Sequence, residues 1–245
     1  LYYKYDADGF TLVATEVDDL VITGNSDVHR EELRLALVKA FNITTWEDIN
    51  SFLGMHIEYD REAGILQMNM IKKIENLFDE QHSLLGSHIN GNSKIPLKGE
   101  YLHITDETHK LTVVERYIKD NYASIIGIVI FIMICVRPDL AQSVSILARA
   151  MHNPQSRNAV MCCDMLNYLK GTMKWKLAFR RYGNPVEGIY KELSRSNAQL
   201  FSLATNDKKA RHPLGGFSDA NHAPASDSQY RSTSGYVMFV LFCLV

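Results

Sequence analysis

The chain has 245 residues, 46% of them hydrophobic and 22% charged, which excludes a disordered or fibrous protein and leaves room for one large domain or two small ones. Twenty-six basic residues against twenty-eight acidic ones give a formal charge of −2, which does not support a dedicated, strongly basic nucleic-acid binder. A nucleic-acid enzyme with charges sorted by region stays open.

Residues 10 to 23 read as a strand, a two-residue turn at Asp18-Asp19 and a second strand. Gly24-Asn25-Ser26-Asp27 ends this hairpin and caps a helix to Phe41, with Glu31 and Glu32 in its first turn. Ser51 to Tyr59 and Ile65 to Met70 form a second hairpin around Arg61-Glu62-Ala63-Gly64. Ile71 to Gln81 predicts an amphipathic helix with Ile71, Ile74, Leu77 and Phe78 on one face. Residues 82 to 112 are polar, with glycine and serine, and read as loop and linker.

Residues 115 to 171 read as helices. Pro138 opens one, and Leu140, Val144, Leu147, Ala148 and Met151 follow at helical spacing. Asn153-Pro154 breaks it, and a further helix over 156–170 ends at Gly171, read as a C′ glycine. Strand signals return at Leu177 to Arg181, Leu200 to Thr205, Gly216 to Asp219 and Ser234 to Phe242. The order predicts an α+β fold divided at 1–85, a linker at 86–112, a helical part at 113–175 and a β part at 176–245.

Cys135, Cys162, Cys163 and Cys243 form no C-x-x-C pair, and their apolar surroundings read as buried, reduced thiols. The histidines form no H-E-x-x-H. His56-Ile57-Glu58 matches the H-x-E of zinc deaminases, but no P-C-x-x-C follows, so the ligand set is incomplete. Asn42-Ile43-Thr44 fits the glycosylation acceptor pattern, a weak signal here. No signal peptide is visible. The longest apolar run before the C-terminal stretch, Ile125 to Val136, is twelve residues against the ~20 that a bilayer needs. It reads as a buried helix, and no membrane partner is expected. The start at Leu1 and the apolar end from Tyr236 to Val245 lead us to expect a piece of a longer protein.

Charge is regional. Residues 1–60 hold twelve acids against four bases. Residues 157–181 hold six bases (Arg157, Lys170, Lys174, Lys176, Arg180 and Arg181) against one acid, Asp164. The first region suits divalent cations and the second a phosphate backbone, although solvated faces give the same pattern.

Asp18 and Asp19 are the chemical centre. Adjacent carboxylates on a tight turn repel, and a magnesium ion with its hard-oxygen preference relieves that repulsion. Two-metal phosphoryl transfer needs carboxylates that hold two ions about 4 Å apart, so one pair is half a site. Alone, Asp-Asp also reads as an ordinary turn pair.

Val17-Asp18-Asp19-Leu20-Val21-Ile22-Thr23-Gly24 resembles the Val-Asp-Asp hairpin in the palm of copia-type LTR-retrotransposon reverse transcriptases. The likeness continues in order along nearly the whole chain. Phe52-Leu53-Gly54-Met55-His56-Ile57-Glu58 resembles the family's F-L-G-x-x-I-E strand, and Gly64-Ile65-Leu66 then precedes a Gln-containing strand and a lysine-bearing helix. Tyr122 to Gly127 resembles its Y-x-S-x-x-G, Arg137 to Ala141 its R-P-D-I-A, and Asn167 to Thr172 its R-Y-L-K-G-T. Ser218-Asp219-Ala220 and Arg231 to Tyr236 resemble the start of its ribonuclease H domain.

The resemblance implies a partial reverse-transcriptase palm and thumb over 1–85, a helical connection over 113–175 and a truncated ribonuclease H-like start over 176–245. It makes Asp18 and Asp19 palm carboxylates in two-metal, template-directed nucleotidyl transfer and Asp219 the first carboxylate of the separate ribonuclease H site, all three as Mg2+ ligands. Lys170, Lys174, Lys176, Arg180 and Arg181 become the nucleic-acid-binding set. The implied partners are an RNA/DNA template-primer, deoxynucleoside triphosphates and the remainder of the Pol polyprotein. The implied location is intracellular, in a cytoplasmic particle or the nucleus.

Departures bear on activity. The family has an aromatic residue, most often tyrosine, at Glu16, which strand alternation puts on the side of Asp18. Its S-D-A-D-W reads Ser218-Asp219-Ala220-Asn221-His222 here, an amide in place of an acid. Its other palm aspartate is expected before Leu1 and its later ribonuclease H carboxylates after Val245. The expectation is a polymerase piece that is inactive alone. The alternatives are a decayed, non-catalytic remnant, a nucleic-acid-binding module without chemistry, or, least supported, a stand-alone ribonuclease H.

Overall fold

The computed structural model describes residues 1–17, 19–41, 47–79, 83–99, 101, 103–180, 214–221 and 233–240, with backbone alone for Arg180 and the last two segments. The architecture is α+β, with antiparallel sheets and a helical core.

The first sheet has the order β1-β2-β3, from Tyr2–Asp6, Gly9–Glu16 and Asp19–Gly24. Sequence reading missed β1, whose run of tyrosines is fully exposed and carries no alternation. It also placed the turn one residue late. Glu16 pairs with Asp19, so Asp19 opens β3 instead of sitting in the turn. Val17, at φ 49°, takes the bend in the left-handed region. The helix α1 (Asp27–Phe41) ends as expected, and the Ser26 hydroxyl accepts from the His29 N–H at 3.2 Å as its cap.

The second sheet has the order β4-β5-β6-β7, from Ser51–Phe52, Met55–Asp60, Ile65–Asn69 and Leu177–Arg180. Met68 pairs with Leu177 and Ile65 with Arg180. This corrects the division at 176: β7 groups with the second hairpin, because β6 offers it a free antiparallel edge. The hairpin β8–β9 (Leu214–Asn221 and Thr233–Val240) matches the last two strand signals, whereas the expected strand at Leu200 to Thr205 lies outside the described residues.

The core lies among α2 (Ile71–Phe78), α3 (Ser83–His88), α4 (Val113–Asp120), α5 (Tyr122–Cys135), α6 (Ala141–Ala148) and α7 (Ser156–Gly171). α5 is apolar all round and supplies Tyr122, Ile125, Ile126, Val129 and Ile132 to the buried cluster. α4 starts at Val113, two residues earlier than read, because Thr112 and Glu115 form a reciprocal capping box. Among the described residues, no single helix is long and apolar enough to cross a membrane. Cys162 is fully buried, and burial pushes its thiol well up, in keeping with an inert core thiol.

The expected linker at 86–112 is instead a strap bound to the core. Ile89 is buried, and Leu97 and Leu111 pack against the cluster. Asn167 Oδ1 accepts from the N–H groups of Asn90 (3.1 Å) and Gly91 (3.2 Å), and Asp164 accepts from Lys98 Nζ (3.0 Å) and the Tyr101 hydroxyl (2.6 Å). Gly171 is corrected as well. It closes α7 without a positive φ, and a Cβ there would lie 2.3 Å from the Gly91 carbonyl oxygen. Close approach of two backbones, not a left-handed cap, is what requires glycine.

Candidate functional site

The antiparallel register sets Asp19 directly across from Glu16, and cross-strand partners share a sheet face. Two exposed like charges therefore face each other at the hairpin tip, an arrangement that a cation stabilises. Asp18 lies outside the described residues. Asp19 Oδ2 accepts a long bond, 3.5 Å, from the Leu53 N–H in the tight turn between β4 and β5.

Asp19 also lines an open cleft of about 810 Å3 between β3, the start of α1 and the segment leading into β4. Asp27, Glu31, Glu47 and Asp48 line it too, with Arg30 and Arg61. Each arginine is engaged: Arg30 pairs with Asp27, and Arg61 pairs with Asp48 at 2.6 Å. Hydrogen bonds from Arg34 hold the Glu31 carboxyl below its usual range. The cleft thus keeps an acidic excess that attracts cations.

For magnesium the donor type fits, since these are hard carboxylate oxygens. Among the described residues, the one group of three close ligand atoms is Asp6, Asp8 and His29, and it does not include Asp19.

Asp219 lies on β8 opposite Gly235, so the Ser218-Asp219-Ala220 motif pairs in register with Ser234-Gly235-Tyr236. Of the basic set, Lys170 donates from Nζ to the Gly86 carbonyl at 2.9 Å and lies 5.2 Å over the Phe78 ring. Lys176 donates to both Glu58 oxygens, at 2.8 and 2.6 Å, and holds that carboxyl below its usual range. Lys174 is exposed, with no ion pair to any described residue. Arg180 ends β7, and Arg181 lies outside the described residues. Two of the five bases thus have internal partners that sequence reading did not give them.

Sequence reading also missed what the R-P-D and Y-L-K-G-T motifs do for each other. Arg137 is 2% exposed. Its guanidinium donates to both Asp139 oxygens, at 2.9 and 2.7 Å, and to the Thr172 carbonyl (3.1 Å) and hydroxyl (2.6 Å). The Tyr168 hydroxyl donates to Asp139 Oδ2 at 2.9 Å. Arg137 also lies 5.6 Å over the Tyr168 ring and 5.5 Å over the Trp175 ring. Burial pushes the Asp139 carboxyl up, but the Arg137 bonds outweigh it and leave the group below its usual range. The sequence signal was present: an arginine in an apolar run whose only nearby acid is two residues on.

No protein-family model matches the chain, and no solved structure matches it. Among curated proteins, the chain is 27% identical over 175 residues, 70% of its length, to the Retrovirus-related Pol polyprotein from transposon TNT 1-94 of Nicotiana tabacum. It is 25% identical over 74% of its length to the putative transposon Ty5-1 protein of Saccharomyces cerevisiae. It is 26% identical over 91% of its length to the Retrovirus-related Pol polyprotein from transposon RE2 of Arabidopsis thaliana. Two of these relatives are retrotransposon Pol polyproteins, and the third is a putative transposon protein. That similarity supports a transposon Pol origin. The chain spans 13% of the tobacco and Arabidopsis polyproteins and 55% of the yeast protein.

Proposed function

We propose that the chain is part of a copia-type RNA-directed DNA polymerase, with palm carboxylates Asp18 and Asp19, a helical connection, and the start of a ribonuclease H domain that carries Asp219. The observation that carries this reading is the place of Asp19, first residue of β3 on the rim of the acidic cleft. Magnesium held by Asp18 and Asp19 would supply the charge that activates a primer hydroxyl and stabilises departing pyrophosphate. The chain's own contribution is to fix Asp19 through the β2–β3 ladder and to present Lys174 and the β7 end to a phosphate backbone. Glu16 opposes that role, because it sets an acid opposite Asp19 where phosphates would approach. It favours the second reading, a non-catalytic remnant that binds nucleic acid.

The test pairs fluorescence anisotropy on an RNA–DNA template-primer over a salt series with magnesium-dependent primer extension. The expected outcome is binding that falls steeply with salt and no extension by this chain alone. Lys174→Ala reduces the salt slope by about one. Absence of binding at low salt overturns both readings. Extension that an Asp18→Asn, Asp19→Asn variant abolishes establishes the polymerase and overturns inactivity.

A further inference from the structure

At the other end of β2, the β1–β2 turn meets the first turn of α1 at Asp6, Asp8 and His29. Asp6 sits opposite Gly9, and its Oδ1 accepts from the Asp8 N–H at 2.9 Å, which closes the turn. The second contact is firm as well: Asn25 Oδ1, just before α1, accepts from the Phe10 N–H at 2.8 Å. The His29 side chain is 1% exposed. Neither of its ring nitrogens has a hydrogen-bond partner. Nε2 stands 2.8 Å from Asp6 Oδ1, within ion-pair distance yet outside hydrogen-bond geometry. One ligand atom each from Asp6, Asp8 and His29 lies within 4.8 Å of the others.

We propose that Asp6, Asp8 and His29 bind a divalent transition cation of the zinc class. A buried imidazole with both nitrogens lacking hydrogen bonds is costly, and a cation on Nε2 gives one of the two a partner. One nitrogen and two carboxylate donors suit zinc, whereas magnesium prefers oxygen and keeps its waters. Zinc ligands stand roughly 3.3 Å apart for tetrahedral bonds of about 2 Å, a spacing that rotation of the exposed Asp6 and Asp8 carboxylates supplies. Lys4 Nζ lies 3.6 Å from Asp6 Oδ2 and is the competing cation, but it is held closer to Glu32, at 3.0 Å. The ion ties the turn to the helix start. The site stands apart from the polymerase reading, since the strand Gly9–Glu16 puts it roughly 23 Å from the Asp19 tip at about 3.3 Å per residue.

Zinc titration calorimetry on the full chain, with cobalt absorption to report the donor set, tests this. The expected result is one ion per chain, a raised Tm and cobalt bands of mixed nitrogen and oxygen ligation. Asp8→Asn, on the exposed turn, raises Kd about tenfold or more with circular dichroism unchanged. His29→Gln abolishes the site, and the Asp18→Asn, Asp19→Asn variant leaves it intact. No zinc binding by the wild type overturns the proposal, as does a Kd unchanged in both Asp6→Asn and Asp8→Asn. Either result identifies the cluster as an Asp6–His29 ion pair only.

Discussion

Arg137 shows what one side chain holds together. Its guanidinium reaches Asp139 within the turn Pro138–Leu140, Thr172 past the end of α7, and the rings of Tyr168 and Trp175. Removing one partner of a buried ionic cluster leaves the rest unsatisfied. Arg137→Ala is expected to cost about 3 kcal/mol in urea unfolding. Arg137→Lys recovers only part, because an ammonium cannot make the fork to Asp139 while stacking on two rings. Equal stability of wild type and alanine variant would remove the cluster from the list of fold determinants. The residues of this cluster were legible as motifs, but their mutual contact was not. Residues 137 and 172 meet only through the packing of α7 on the core, and no local periodicity encodes that.

Among elements, the strap and α7 approach each other closely, backbone to backbone. Gly91, at φ 73°, brings its carbonyl against Gly171. Gly171→Ala pushes a methyl into that oxygen and is expected to cost about 1–3 kcal/mol in thermal unfolding. Gly99→Ala, where a Cβ meets nothing within 4 Å, separates contact from backbone effects, because its φ of 85° carries strain alone. Helices were legible where apolar spacing was strong, as in α2. The strap was not, since its anchors are spaced irregularly and its polar residues find partners on α7 rather than in solvent. The hairpin β2–β3 was legible as two strands, yet the turn slipped by one residue because a charged pair looks like a turn whether or not the chain bends there. For the site, this slip matters. It puts Glu16, not a turn residue, across from Asp19.

At the scale of the whole molecule, Asp106 joins three segments. Its Oδ1 accepts from the Ser156 N–H at 2.7 Å, at the start of α7, and from Lys119 Nζ at 3.2 Å on α4. Hydrogen bonds from Ser156, with help from Lys119, hold its carboxyl down to about 2, below an ordinary value of 3.8. A carboxyl depressed in the folded state stabilises the fold above its unfolded pKa and loses that contribution as pH falls through the folded one. The contribution is present above pH ~4 and is lost toward pH ~2. Asp106→Asn is expected to lower Tm at pH 6 and to flatten the loss of Tm between those two pH values. A variant that follows the wild-type acid limb in parallel would assign that limb to other carboxylates.

The pairing of β6 with β7 has a kinetic consequence. Met68 and Leu177 are neighbours across a ladder, yet all six core helices lie between them in the chain. The loop-closure entropy of so long a connection must be met before the ladder gains anything, so β7 docks only after the helices have collapsed. The second sheet is then a late seal on a helical insert whose two ends meet one strand apart. A single backbone nick at the exposed turn of His152 and Asn153 would leave two pieces that still pair along that seam and share one apolar core.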